Sequence, residues 1–148
     1  MNNEQIHILL AEDDEADRLL FSETLDELEI KPILHTVNNG VELMAYLNKK
    51  NVQLPHIVFL DLNMPRKNGL ECLKEIRNND KLKSISIAIY STSVNENDMD
   101  ETFRYGANVY ISKPNNINML RQLFFKAVAA THLYQGEPIY RANFFLSV

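Results

Sequence analysis

Residues 57–77 read IVFLDLNMPRKNGLECLKEIR. Ile57, Val58, Phe59 and Leu60 form an apolar run of strand length, rich in β-branched and aromatic residues. The run stops at Asp61. Pro65 and Gly69 then mark a turn, and Leu70, Leu73 and Ile76 recur every three residues, as on one face of a helix. The stretch is therefore strand, carboxylate, loop and helix. A strand without polar alternation is one buried on both faces, and that belongs in a parallel sheet.

Outward from this unit the same pattern repeats. Apolar runs fall at 6–11, 85–90 and 109–111, with a weaker one at 32–37. Helical spacing lies between them. Leu19, Leu20, Leu25 and Leu28 carry the first helix, and Val41, Leu43, Met44 and Leu47 the second. A fourth helix over 98–105 offers Met99 and Phe103 and closes at Gly106, the type of residue that follows a helix cap. The fifth presents Ile117, Leu120, Leu123, Phe124, Ala127 and Val128. The order βαβαβαβαβα is complete near residue 131. It predicts an α/β fold: a doubly wound five-stranded parallel sheet with helices on both faces. In such sheets the site lies outside the carboxyl ends of the strands, where strand order reverses.

Composition narrows the function. The chain has 148 residues, the size of one domain. A single cysteine, Cys72, forms no internal disulfide and no zinc pattern, and its place on the third helix predicts a buried, unreactive thiol. Fifteen basic against 20 acidic residues give a net charge of −5, which argues against a nucleic-acid partner. No apolar run approaches the roughly 20 residues of a membrane span, and the amino-terminal stretch has no basic flank of a signal peptide. The expectation is a cytoplasmic protein. No glycine-rich loop follows the first strand, against a dinucleotide or P-loop site.

The chemistry collects at the strand ends. Glu12-Asp13-Asp14 follows the first strand, Asp61 ends the third, Ser91 the fourth, and Lys113 the fifth. Singly, each has a plainer use: Asp14 caps a helix, Asp61 makes a turn, Lys113 is a solvated charge. Together they are costly, because neighbouring anions repel. A hard divalent cation with oxygen ligands accounts for the set, and few carboxylates plus carbonyl and water suit magnesium.

Four motifs, LLAEDD (9–14), FLDLNMPRKNGLECL (59–73), IYSTS (89–93) and YISKP (110–114), stand in order at four strand ends. In them the chain resembles the receiver domain of two-component response regulators, the CheY-like family, over about residues 6–131. The match is nearest to single-domain regulators paired with phytochrome-type or hybrid histidine kinases. The resemblance implies strand order 2-1-3-4-5 and assigns roles. Asp61 is similar to the aspartate that accepts a phosphoryl group. Asp13, Asp61 and the main-chain carbonyl of Asn63 would bind Mg²⁺ directly, and Glu12 through water. Ser91 would be the switch hydroxyl, Lys113 the neutralising ammonium and Tyr110 the switch aromatic. Lys113-Pro114 would be joined by a cis peptide. The donor would be a histidine kinase or phosphotransfer protein, and the signalling surface the fourth helix, fifth strand and fifth helix, about 98–128. On this reading the chain is a phosphoacceptor and not an enzyme.

Two other classes share the topology. A haloacid-dehalogenase-type phosphatase, which works through an aspartyl phosphate, carries a second Asp two residues after the nucleophile; here that position is Asn63. A flavodoxin-like cofactor domain carries a Ser/Thr-rich loop where this chain has Glu12-Asp13-Asp14.

The domain reading is a receiver, 1–131, and an extension, 132–148, to which no element is assigned. Leu133, Tyr134, Ile139, Tyr140, Phe144, Phe145 and Leu146 are too apolar to be left in water together. They pack either on the receiver, with a turn at Gln135-Gly136-Glu137-Pro138, or on a second chain. The expectation leans to the second, an isologous homodimer.

Overall fold

The computed structural model describes residues 5–29, 31–133 and 140–147. Five parallel strands alternate with five helices. They are β1 (His7–Ala11), α1 (Glu15–Asp26), β2 (Ile33–Val37), α2 (Gly40–Leu47), β3 (Ile57–Leu60), α3 (Gly69–Arg77), β4 (Ser86–Ser91), α4 (Glu96–Arg104), β5 (Val109–Ser112) and α5 (Ile117–Leu133). A single 3₁₀ turn, Arg141–Asn143, and a short strand, β6 (Phe145–Leu146), complete the order. The sheet runs β2-β1-β3-β4-β5-β6. The first five strands have the predicted order. β6 is the addition, paired in parallel with β5 through Tyr110↔Phe145 and Ile111↔Leu146.

Alternation along the strands builds two cores. Ile8, Leu10, Ile57, Phe59, Ala88, Tyr90, Val109 and Ile111 face α1 and α5, where Phe21 packs edge-on against Phe59 and Tyr90. Leu9, Val58, Leu60, Ile87, Ile89 and Tyr110 face the other side, with Leu43, Leu73, Ile76 and Met99 of α2, α3 and α4. Continuous apolar strands therefore serve both layers, as the sequence pattern requires. β2 departs from it: His35 and Thr36 are exposed, because β2 is an edge strand with one neighbour.

Helix ends follow local chemistry. Asn68 accepts the Glu71 N–H at 2.9 Å, and Glu71 returns the bond to the Asn68 N–H at 3.0 Å, a capping box at the start of α3. α4 ends as expected at Gly106, whose φ is +96°. Its N–H donates to the Phe103 carbonyl at 3.0 Å, and that of Ala107 to Thr102 at 2.9 Å, which closes a Schellman motif. Cys72 is fully buried, and burial pushes its thiol up to about 11.

Residues 140–147 lie on the chain's own sheet. Phe144 is fully buried against Phe103 and Tyr110. The proposed turn at Gln135-Gly136-Glu137-Pro138 lies outside the described residues, as do Tyr134, Ile139 and the side chain of Leu133.

Candidate functional site

The strand order reverses at β1, which lies between β2 and β3. The carboxyl ends of β1 and β3 are joined by the Asp61 N–H, which donates to the Ala11 carbonyl at 3.1 Å. This places Glu12 beside Asp61. Asp14 caps α1, its Oδ1 accepting the Asp17 N–H at 2.9 Å. Gly69 lets α3 start close to the same edge: a Cβ there would stand 2.3 Å from the Asp61 carbonyl oxygen and 2.8 Å from Leu62 Cα.

Lys113 reaches across from β5. Its Nζ lies 3.3 Å from Asp61 Oδ2 and 3.0 Å from Asp17 Oδ2, and it pairs with Glu12. Burial alone would lower the Lys113 ammonium, but its bonds to Glu12 and Asp17 and the charge of Asp61 outweigh that and hold it above its ordinary value. Glu12 is fully buried. Burial pushes its carboxyl up to about 7, against the opposing pull of Lys113 and of the Asp14 N–H. Its Oε2 accepts the Asp14 N–H at 3.1 Å, while Oε1 faces the Lys113 ammonium and has no further partner among the described residues.

One cation thus serves three carboxylates, with Asp13 exposed beside them. Oxygens of Glu12, Asp13 and Asp61 all lie within 4.8 Å of one another. Hard oxygen donors at this spacing, one of them buried and under-partnered, fit a divalent cation. Asn63 brings its main chain to the same place, its N–H donating to Asp61 Oδ1 at 3.2 Å, with its side chain exposed.

Ser91 and Tyr110 stand behind this edge, both fully buried. Ser91 Oγ accepts the Ser93 N–H at 3.1 Å, and the Tyr110 hydroxyl donates to the Ser93 carbonyl at 2.7 Å. Burial raises the Tyr110 phenol, opposed by the polar groups of Ser91 and Ser93 beside it. A chain of contacts therefore runs from Ser91 through Ser93 to Tyr110. Ser93 is fastened further by Asp98, its Oγ donating to Oδ2 at 2.7 Å.

The structure brings together all the residues singled out in the sequence: Glu12, Asp13, Asp61 and Lys113 in one group, Asn63 against Asp61, and Ser91 with Tyr110 behind. Asp17 was missed. Its position three residues after the capping Asp14, in the first turn of α1, is the signal that could have found it. One expectation fails. The Lys113–Pro114 peptide is not cis, since the described chain has no cis peptide; an X–Pro bond prefers trans by about 0.5–1 kcal/mol unless its surroundings force the other form.

Comparison with known proteins agrees. The response regulator receiver domain model matches residues 8–125. Response regulator Rcp1 of Synechocystis sp. is 37% identical over 136 residues, which cover 89% of this chain and 90% of Rcp1. The phosphorylated cyanobacterial phytochrome response regulator RcpA superposes with a TM-score of 0.75 at 35% identity, covering 88% of this chain and 94% of that one. The Mn²⁺-bound form of Rcp1 gives 0.73 at 34%, with the same coverage. With its acidic edge, its strand order and a family match across most of its length, this chain belongs to the response regulator receiver domain family.

Proposed function

We propose that Asp61 accepts a phosphoryl group from the phosphohistidine of a histidine kinase or phosphotransfer protein, and that this switches protein contacts at α4, β5 and α5. Support comes first from Asp61 itself. It is 4% exposed at the end of β3, its Oδ2 is 3.3 Å from the Lys113 ammonium, and the carboxylates of Glu12 and Asp13 are gathered beside it. An Asp61 oxygen forms the new O–P bond, the P–N bond breaks, and its electron pair returns to the imidazole. Lys113 neutralises the charge carried by the phosphoryl oxygens. Ser91 supplies a hydroxyl that closes on them. When it does, the Ser93 N–H loses its acceptor, and the change reaches Tyr110 through the Ser93 carbonyl.

The cation that fits is Mg²⁺, held by Asp13, Asp61 and the Asn63 carbonyl, with Glu12 acting through water. It would supply positive charge at the phosphoryl oxygens. The similarity to phytochrome response regulators supports a phytochrome-type kinase as donor. Charge and hydropathy support a cytoplasmic protein with no nucleic-acid or membrane partner; no described helix is long and apolar enough to cross a membrane. The receiver is 1–131. Of the two covers open to the extension, 132–148, the chain's own sheet is the one supported, because Phe144 is fully buried there. A phosphatase reading stays disfavoured, since Asn63 occupies the position of the second Asp.

The test is intact-mass analysis after acetyl phosphate with Mg²⁺. Wild type should gain one base-labile phosphoryl group, lost when Mg²⁺ is withheld, and Asp61→Asn should gain none. Undiminished labelling of that variant would sink the assignment.

A further inference from the structure

The face formed by α4, β5 and α5 is not bare. Residues 140–147 cross it and are fastened to all three elements. On α4, Arg141 Nε pairs with Asp100 at 2.9 Å and Nη2 with Glu96 at 3.0 Å. On β5, the Tyr110 N–H donates to the Phe144 carbonyl at 2.9 Å, and β6 adds to the sheet edge. On α5, Lys126 Nζ donates to the Ser147 carbonyl at 2.5 Å. At the centre, the Phe144 ring lies 5.3 Å from that of Phe103 and 6.0 Å from that of Tyr110, both edge-on.

Three separate recognitions are present. An acidic pair on α4 takes a cation, a buried slot takes an aromatic ring, and the β5 edge takes an extended backbone. A parallel strand edge with unpaired N–H and carbonyl groups is a template for another strand, and strand addition with a side-chain anchor is a common way of binding peptides. We propose that this face is a strand-docking site whose resident ligand is the chain's own arm, residues 140–147, and that an outside partner reaches the face by displacing the arm. The partner is an extended peptide with a basic side chain three positions ahead of an aromatic one, the spacing of Arg141 and Phe144. A tethered arm acts at an effective concentration on the order of millimolar, so an outside peptide with micromolar affinity for the empty face binds on the order of a hundredfold or more weakly to the occupied one.

The experiment uses the full chain and a fluorescein-labelled peptide of sequence YRANFFLS, read by anisotropy. Phe144→Asp withdraws the anchor from its slot. Arg141→Glu sets a carboxylate against Glu96 and Asp100 and leaves the core untouched. The peptide should bind both variants and leave wild type unlabelled at the same concentration, and YEANFFLS should bind neither. Equal binding to wild type, or no binding to a folded Arg141→Glu protein, overturns the proposal. If Phe144→Asp does not fold, Arg141→Glu alone decides. Sedimentation guards the assignment to the same chain. A wild-type dimer that Arg141→Glu converts to monomer would place the arm on a second copy and overturn it.

Discussion

The two ends of the sheet treat charge in opposite ways. At the amino end, Arg77 donates four hydrogen bonds. Its Nε donates to the Gly106 carbonyl at 2.8 Å, Nη1 to Ile85 at 2.6 Å and to Lys83 at 2.9 Å, and Nη2 to Asn108 Oδ1 at 2.9 Å. One cation finds four oxygens, none of them an anion. At the carboxyl end one ammonium, Lys113, is shared by Glu12, Asp17 and Asp61, with Asp13 beside them. The first arrangement closes gaps between elements. The second concentrates like charge that packing does not require and that a cation or a phosphoryl group can use. Stability and chemistry are thus separated by the length of a strand, and substitutions at the two ends should fail in different ways.

The largest effect belongs to Asp13→Ala. It deletes a proposed direct ligand, so Mg²⁺ or Mn²⁺ titration followed by calorimetry should show affinity lowered by more than about tenfold. The folded state should hold or gain stability, because crowded anions are relieved. Unchanged affinity would move the ligand role to Glu12 or Asp14 and blur the contrast between the ends.

Arg77→Ala is its mirror. Four donated hydrogen bonds are lost, and the Ile85 carbonyl is left short of a partner. The expected cost is about 2–4 kcal/mol in urea denaturation, with metal affinity and phosphoryl labelling of the folded protein intact. Loss of labelling in step with stability would show that the two ends are coupled.

These ends were not equally legible in the sequence. The carboxyl end was, because each of its residues stands just after an apolar run: Asp61 after Leu60, Glu12 after Ala11, Lys113 two residues past Ile111. Strand alternation then fixes where such residues emerge. Asp17 was hidden because its use depends on the turn that Asp14 caps. Arg77 carried no signal, since a basic residue in the last turn of a helix has an ordinary use at the helix dipole. β6 was illegible for another reason. It has two residues, and its existence rests on pairing with β5, more than 30 positions earlier, and not on any pattern of its own. The exposure of His35 and Thr36 likewise follows from the place of β2 at the edge, which no local pattern records.

A smaller effect sharpens the reading of Glu12. Its carboxyl is pushed up to about 7, so between its ordinary 4.5 and that value the folded chain binds more protons than the unfolded one. In metal-free buffer this group's contribution to stability should therefore fall as pH rises through that window and level off above it, with a slope below about 1.4 kcal/mol per pH unit. Glu12→Gln should flatten this part of the profile. An unchanged slope in that variant would assign it to another group at the carboxyl end.

The smallest effect falls on the helix that joins the two ends. α3 begins at the carboxyl edge, where Asn68 and Glu71 make its capping box, and finishes at the amino edge, where Arg77 ties it to the loops beneath. Asn68→Ala removes one cap bond and leaves the Glu71 main-chain N–H without its acceptor, while the Glu71 side chain keeps its bond to the main-chain N–H of residue 68. Asn68 is exposed, so water replaces much of what is lost, and the cost should be about 1 kcal/mol. The comparison with Arg77→Ala is the informative part. If the cap costs less, α3 is anchored at its carboxyl-terminal end, and its first turn beside Asp61 and Asn63 is the end with freedom to move. A cap cost equal to that of Arg77→Ala would mean that the helix is held equally at both ends, and that the loop carrying Asn63 is as fixed as the amino end of the sheet.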